Sequence, residues 1–178
     1  MKKSIQLFVY HTEEDDPKKC SAKKLHRFGH VRLESNLRNI PRGIILLNPL
    51  SKKSLSREDE KLAERKGILA LDCSWKTIEK QLPNIEEKCV SRSLPFVVAV
   101  NPVNFGKALK LSTLEAFATA LYILDRTKQA EEILKIYKWG PHFIELNKEP
   151  LEDYRTAKTS REIIDKMALY FSTEENNG

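Results

Sequence analysis

The chain has 178 residues, of which 40% are hydrophobic and 31% charged, with only 6 glycines and 8 prolines; these are the proportions of a folded globular protein, which excludes long disorder and fibrous repeats. That length supports one good core or two small domains sharing an interface. Its apolar runs, such as residues 94–100, fall well short of the roughly 18 residues that a membrane span needs. The acidic run Glu13 to Asp16 stands where an export signal would need small residues, so a soluble protein with no membrane partner is expected. Three cysteines, Cys20, Cys73 and Cys89, form no C-x-x-C pair, which argues against a disulfide framework or a thiolate metal site and fits a reducing cytoplasm.

The net charge of +6 is unevenly placed. Lys18, Lys19, Lys23, Lys24, Arg27 and Arg32 lie in a stretch without a single acidic residue, and the remainder of the chain nets to zero. With His26, Phe28 and His30 interleaved, this segment suits a polyanionic backbone such as RNA or DNA. Taken alone it fits a solvated helix face equally well.

In chain order, Ser4 to Tyr10 reads as a strand, and Ser21 as the N-cap of a short helix that ends at Phe28-Gly29, where glycine supplies the left-handed position. Gly43 to Leu47 is an apolar strand stopped by Asn48-Pro49. Ser56 and Asp59 form a capping box for a charged helix closing at Gly67, and Ile68 to Leu71 is the next strand. A helix starts near Trp75, and Leu94 to Val100 is expected to be another buried strand. Strands alternating with helices imply a mainly parallel sheet covered on both faces, an α/β architecture.

Beyond Gly106 the pattern becomes helical. Ser112 and Glu115 make a capping box for a helix to about Leu124, whose apolar residues spread too far around the wheel for a surface position, so it should be central. Helices over Ala130 to Tyr137, Trp139 to Leu146 and Thr159 to Phe171 follow. We therefore divide the chain into an α/β part, 1–93, and a strand-plus-helical part, 94–178.

No G-x-G-x-x-G, P-loop, H-E-x-x-H or G-x-S-x-G spacing occurs, and His11, His26, His30 and His142 lack metal-ligand spacing, so no metal is expected. What remains is a set of segments after predicted parallel strands: Leu47-Asn48-Pro49, Asp72-Cys73-Ser74-Trp75, and Asn101 to Gly106. In open α/β sheets ligands bind at that edge. Asp72 there is either a general base or a cap for the following helix, and Trp75 is either core or a face for an aromatic ring.

The stretches Pro17-Lys18-Lys19-Cys20-Ser21, Leu71-Asp72-Cys73-Ser74-Trp75-Lys76, Asn101-Pro102-Val103-Asn104-Phe105-Gly106-Lys107, Leu114-Glu115-Ala116, Trp139-Gly140 and Phe143-Ile144-Glu145-Leu146-Asn147 resemble the aminocarboxypropyltransferases that modify small-subunit ribosomal RNA. The likeness runs from about Pro17 to Tyr154. It implies a fold related to the SPOUT RNA methyltransferases, with a trefoil knot, and S-adenosylmethionine as cofactor. It further implies transfer of the 3-amino-3-carboxypropyl group to a uridine or pseudouridine-type base, with small-subunit rRNA as partner. SPOUT relatives are often dimers, yet nothing in the sequence demands an interface, so a monomer is expected, in the cytoplasm that the cysteine usage suggests.

On this resemblance Ser21 and Thr113 are polar cofactor contacts, Leu71, Leu94 and Leu109 give mainly backbone groups, and Leu47, Pro49 and Trp75 form an apolar wall. Asp72 is the candidate catalytic carboxylate, and Lys18, Lys19, Lys23, Lys24, Arg27 and Arg32 are the candidate RNA contacts. Leu109 stands where the family often has an aromatic, and Phe105 where a Tyr is expected. Two rivals are a SPOUT-type methyltransferase using the same cofactor and a non-catalytic RNA-binding assembly factor.

Overall fold

A computed structural model describes residues 2–12, 21–72 and 75–175, apart from the side chains of Trp75, Thr77 and residues 172–175. Five strands are assigned among them, β1 (Leu7–His11), β2 (Arg32–Glu34), β3 (Ile45–Leu47), β4 (Ile68–Asp72) and β5 (Val90–Arg92), and they pair in the order β2-β1-β4-β3-β5. Each pairing is parallel. The crossovers carry α1 (Ser21–Arg27), α2 (Glu60–Lys66) and α3 (Trp75–Lys88).

Successive strand residues point to opposite faces, and each face has its own apolar layer. Leu7, Val9, Ile45, Ile68 and Ala70 belong to one large core, and Phe8, Tyr10, Leu46 and Leu69 to a second, smaller one that includes Ile85 of α3. The large core runs on without a break into the helical half through Leu114, Phe117, Leu121, Phe143, Leu151 and Tyr154.

Local signals explain the element ends. Gly29, with φ 78°, sits beyond α1, and its neighbour His30 donates its N–H back to the Leu25 carbonyl at 2.9 Å, the expected left-handed closure. Ser56 and Asp59 form the expected capping box, over a short 3-10 turn that leads into α2. At Gly67, φ is 92° and an added Cβ would lie 2.7 Å from the Gln6 carbonyl oxygen, so only glycine lets β4 come alongside β1 there. Strand β2 has no counterpart in the sequence reading, because Arg32-Leu33-Glu34 is short and charged; such residues suit an edge strand, where charge discourages further pairing.

The helical half holds α4 (Thr113–Ile123), α5 (Thr127–Leu134), α6 (Gly140–Leu146), α7 (Lys148–Thr156) and α8 (Ser160–Glu175). As expected, α4 is central: it packs against β4, α1, α5 and α7, and its Ser112–Glu115 capping box is formed. Helix α7 was not expected from its sequence, since Lys148-Glu149-Pro150 reads as a break. Pro150 falls in the first turn of the helix, where a missing N–H costs nothing.

The strand expected over Leu94 to Val100 is not one. Here β5 ends at Arg92, and only an isolated bridge joins Val98 to Ala108. The segment is nonetheless buried, with Val97 and Ala99 at 0% exposure, and its backbone polar groups need partners. On one side they bond the returning chain: Ala99 N–H to Lys107 carbonyl at 2.9 Å and Leu109 N–H to Val97 carbonyl at 3.0 Å. On the other, side chains take the place of a strand. The Tyr154 hydroxyl donates to the Phe96 carbonyl at 2.8 Å, Asn147 accepts from the Val98 N–H at 2.7 Å and donates to its carbonyl at 2.8 Å, and Glu115 accepts from the Val100 N–H at 2.7 Å.

Candidate active site

Two clefts open at opposite ends of the sheet. At the carboxyl ends of the strands, a cleft of about 370 Å³ is lined by Leu47 at the end of β3, Pro49 and Leu50 after it, Ala70 and Leu71 of β4, Leu94 after β5, Leu109 and Leu111 of the following loop, and Ser112, Thr113 and Ala116 at the start of α4. Ile78 and Leu82, one turn apart on α3, and Asn48 complete the described lining. Its volume and its mostly apolar wall with a few polar groups suit a small organic ligand.

The loops that form this cleft are held by buried polar side chains. Asn48, 5% exposed, turns the chain after β3 by accepting from the Leu50 N–H at 3.0 Å while donating to Glu86 at 2.8 Å. Glu115, fully buried, accepts from the Asn101 amide at 2.6 Å and from the Ser112 N–H at 3.1 Å. One carboxylate thus secures both the Val100–Asn101 turn and the amino end of α4. Leu109 adopts φ 59°, a left-handed conformation that costs a leucine on the order of 1 kcal/mol and that the surrounding loop holds in place.

Of the residues singled out in the sequence, Leu47, Pro49, Leu71, Leu94, Leu109 and Thr113 meet around this one cleft. Ser21 lies beside it as the first residue of α1, not as its cap. Its hydroxyl accepts the Leu114 N–H of α4 at 3.3 Å, next in sequence to Thr113. Asp72 ends β4, immediately after Leu71, with its side chain 18% exposed and one carboxylate oxygen 3.9 Å from Nε2 of the buried His11. Trp75 opens α3. Cys73 and Ser74 lie outside the described residues, as do Lys18, Lys19 and Cys20. Ile78, Leu82 and Ala116 were missed, because apolar residues at helical spacing look like any core face, and Leu111 because a lone loop leucine carries no signal.

The remaining basic positions run from the edge of this cleft toward the opposite end of the sheet. Lys23, Lys24 and Arg27 share α1, and Arg32 opens the edge strand β2. The Lys24 ammonium lies 4.0 Å from the ring centre of Tyr137. Arg32 is exposed and 3.5 Å from Glu34. Through the Ser21–Leu114 bond, this basic helix abuts the cleft. Cys89 offers no thiolate: burial pushes its thiol up to about 11.

At the amino ends of the strands a wider cleft, about 850 Å³, lies between residues 2–7, 29–32 and 125–129. Its charged groups are largely spoken for. Arg126, buried, pairs with Glu60 at 2.7 Å and with Glu64, and donates to the Lys3 carbonyl at 2.8 Å. Lys2 pairs with Asp125 at 2.6 Å and with Glu60 at 3.1 Å.

Residues 45–171 match the family model described as ribosome biogenesis protein, C-terminal. Residues 5–36 also match a model for a Fer4-like domain in RNase L inhibitor, although that stretch holds one cysteine, too few for an iron–sulfur cluster. The 16S rRNA aminocarboxypropyltransferase of Methanosarcina mazei is 46% identical over 169 residues, covering 94% of this chain and 96% of that protein. The enzyme of the same name from Methanococcoides burtonii is 47% identical over the same length, with the same coverage. Among solved structures, the SAM-dependent rRNA:acp-transferase of Vulcanisaeta distributa superposes with a TM-score of 0.82 at 36% identity, covering 97% of this chain and 98% of that one. With a family model spanning most of its length and close relatives along nearly all of it, the chain belongs to the ribosome biogenesis family of 16S rRNA aminocarboxypropyltransferases.

Proposed function

We propose that this protein transfers the 3-amino-3-carboxypropyl group of S-adenosylmethionine to a uridine or pseudouridine-type base of small-subunit rRNA during ribosome biogenesis. The observation that carries the reading is the gathering of Leu47, Pro49, Leu71, Leu94, Leu109 and Thr113 around one cleft at the carboxyl edge of the sheet, in a chain of this family. The residues fit the cofactor: an apolar wall suits its adenine and methyl sides, and Thr113 and Ser21 offer hydroxyls at the start of α4.

When bound, S-adenosylmethionine supplies a sulfonium with three carbons, of which the one facing the nucleophile in line is transferred. Leu47, Pro49, Leu71 and Leu94 exclude water from the cleft, and on the family likeness Trp75 would add an apolar face. Asp72, at the end of β4 beside the cleft, would take the proton from the imide nitrogen of the base, whose new bond to carbon replaces the carbon–sulfur bond while the sulfur leaves as a neutral thioether. Lys18, Lys19, Lys23, Lys24, Arg27 and Arg32 hold the phosphates, the RNA running from the cofactor cleft along α1 toward Arg32, which lies at the amino ends of the strands.

We also infer, from the family likeness, that the connections around the cleft form a SPOUT-like trefoil knot. Residues 1–93 then carry the basic segment, and 94–178 complete the cleft. A monomer acting in the cytoplasm without a metal fits this reading.

The test uses purified protein, small-subunit RNA lacking the modification, and S-adenosylmethionine labelled in either the carboxyl carbon or the methyl. Incorporation of the carboxyl label alone is expected. Incorporation of the methyl label alone would make the protein a methyltransferase, and binding of both ligands without incorporation would make it an assembly factor. Asp72→Ala is expected to abolish transfer while leaving cofactor affinity within twofold; unchanged turnover would reduce Asp72 to a helix cap.

A further inference from the structure

The loop over residues 101–110, whose far end walls the cleft through Leu109, exposes its apolar residues to solvent. Phe105 is 61% exposed and Val103 79%. Exposure at this level is out of place for a phenylalanine whose hydrophobic burial would stabilise the fold. The Phe105 ring lies nearly parallel to that of His142 at the start of α6, at an interplanar angle of 8° with centroids 6.2 Å apart. The His142 ring is itself half exposed, and its Nδ1 is 3.3 Å from Glu145. Two parallel, solvent-facing rings on separate elements present π-faces without using them in a core.

The base of the loop is fixed while its tip is open. Asn101 is buried; its amide donates to the Lys110 carbonyl at 3.2 Å as well as to Glu115, and its side-chain oxygen accepts from the Asn104 N–H at 3.1 Å. Gly106, with φ 79° and open space where a Cβ would be, lets the chain return directly after Phe105. The platform is therefore held in position before any partner arrives. From residue 101 to 114 the loop carries Lys107 and Lys110 and no acidic residue.

We propose that Phe105 and His142 form a stacking platform for an unpaired base of the RNA substrate, a nucleotide neighbouring the one placed in the cleft, with Lys107 and Lys110 on its phosphates. The proposal rests on the reading of the cleft as an rRNA-modifying site. Charge selects the occupant: an anionic strand with exposed base faces meets both the aromatic and the cationic parts of the loop, whereas an apolar protein surface would leave both lysines unmatched. Continuity adds to this, since Leu109 of the same loop lines the cleft.

The experiment measures binding of a fluorescently labelled small-subunit rRNA hairpin by anisotropy across a salt series, cofactor binding by calorimetry, and transfer of the carboxyl label. Phe105→Ala is expected to weaken RNA binding roughly 5- to 150-fold, the range found when a stacked base loses its aromatic partner, with cofactor affinity and salt slope unchanged. Phe105→Trp should restore RNA affinity, and Lys107→Ala should lower the salt slope by about one. Wild-type RNA affinity in Phe105→Ala would overturn the platform even while the wild-type protein transfers the label. So would a parallel loss of cofactor affinity, which would make Phe105 part of the cofactor wall. Failure of the wild-type protein to transfer either label to RNA would instead overturn the functional reading and the platform with it.

Discussion

At the amino-terminal end of the sheet, charged side chains from the two halves of the chain neutralise one another; at the carboxyl-terminal end, buried polar side chains hold loops in place so that an apolar cleft stays open. The first end joins Lys2, Arg57, Glu60 and Glu64 of the sheet half to Asp125, Arg126 and Arg155 of the helical half. The second uses Asn48, Glu115 and Asn147, whose partners are mostly backbone groups. The larger cleft lies at the first end, yet the family positions meet at the smaller one. Size does not pick the site; what the polar groups are doing does. Where charges satisfy each other they lock two parts together, and where they satisfy backbone they shape a surface for something else.

This contrast can be broken at either end. The largest effect is expected for Glu115→Ala. It orphans the Val100 N–H and the Ser112 N–H, leaves the Asn101 amide only its bond to the Lys110 carbonyl, and should cost about 4 kcal/mol in urea unfolding while abolishing cofactor binding, because several buried donors lose one shared acceptor. Arg126→Ala comes next, at about 3 kcal/mol, since it leaves Glu60 and Glu64 facing an emptied site. Calorimetry on the folded protein should nonetheless return wild-type cofactor affinity, and a large loss there would mean that the two ends are coupled.

Asn147→Ala should cost about 2 kcal/mol by removing its bonds to Val98 and Phe143, with a larger share of the damage in cofactor affinity than Arg126→Ala produces. The smallest effect is a matter of pH. Paired with Arg126 and Lys2, the Glu60 carboxyl is held down at about 2, below its ordinary 4.5. Its contribution is present above pH 4.5 and is lost as the pH falls toward 2. Thermal melts between those limits should show a smaller decline for Glu60→Gln than for the wild type.

Much of this was legible in the sequence for reasons that can be named. Ser56 with Asp59 and Ser112 with Glu115 carry their helix starts in four residues, and Gly29 and Gly67 mark the ends of α1 and α2 through the left-handed backbone that they alone adopt easily. Leu47 and Leu71 end predicted strands and Pro49 follows one, so strand reading and family likeness place these three at the same edge, whereas Leu94, read as the start of a strand, was placed there by the likeness alone. What was not legible depended on partners distant in sequence. Residues 94–100 have the composition of a buried strand, and nothing local reveals that Asn147 and Tyr154, some fifty residues on, stand in for a neighbour. Helix α7 was hidden by a proline that is harmless only in a first turn, and β2 by charges that only an edge explains. Phe105 stood out in the sequence only as a departure from an expected Tyr; its exposure and its alignment with His142 come from the structure.

The side-chain ladder along residues 96, 98 and 100 also sets an order of events when the chain is made. The strands and the segment that walls the cleft leave the ribosome first, but one edge of that segment stays bare until Asn147 and Tyr154 emerge and dock. During that interval it is an apolar ribbon with open backbone groups, the kind of edge that recruits stray strands. The backbone partners of this segment therefore exist only once the helical half has docked, so the wall of the cleft and the helices are completed as one unit.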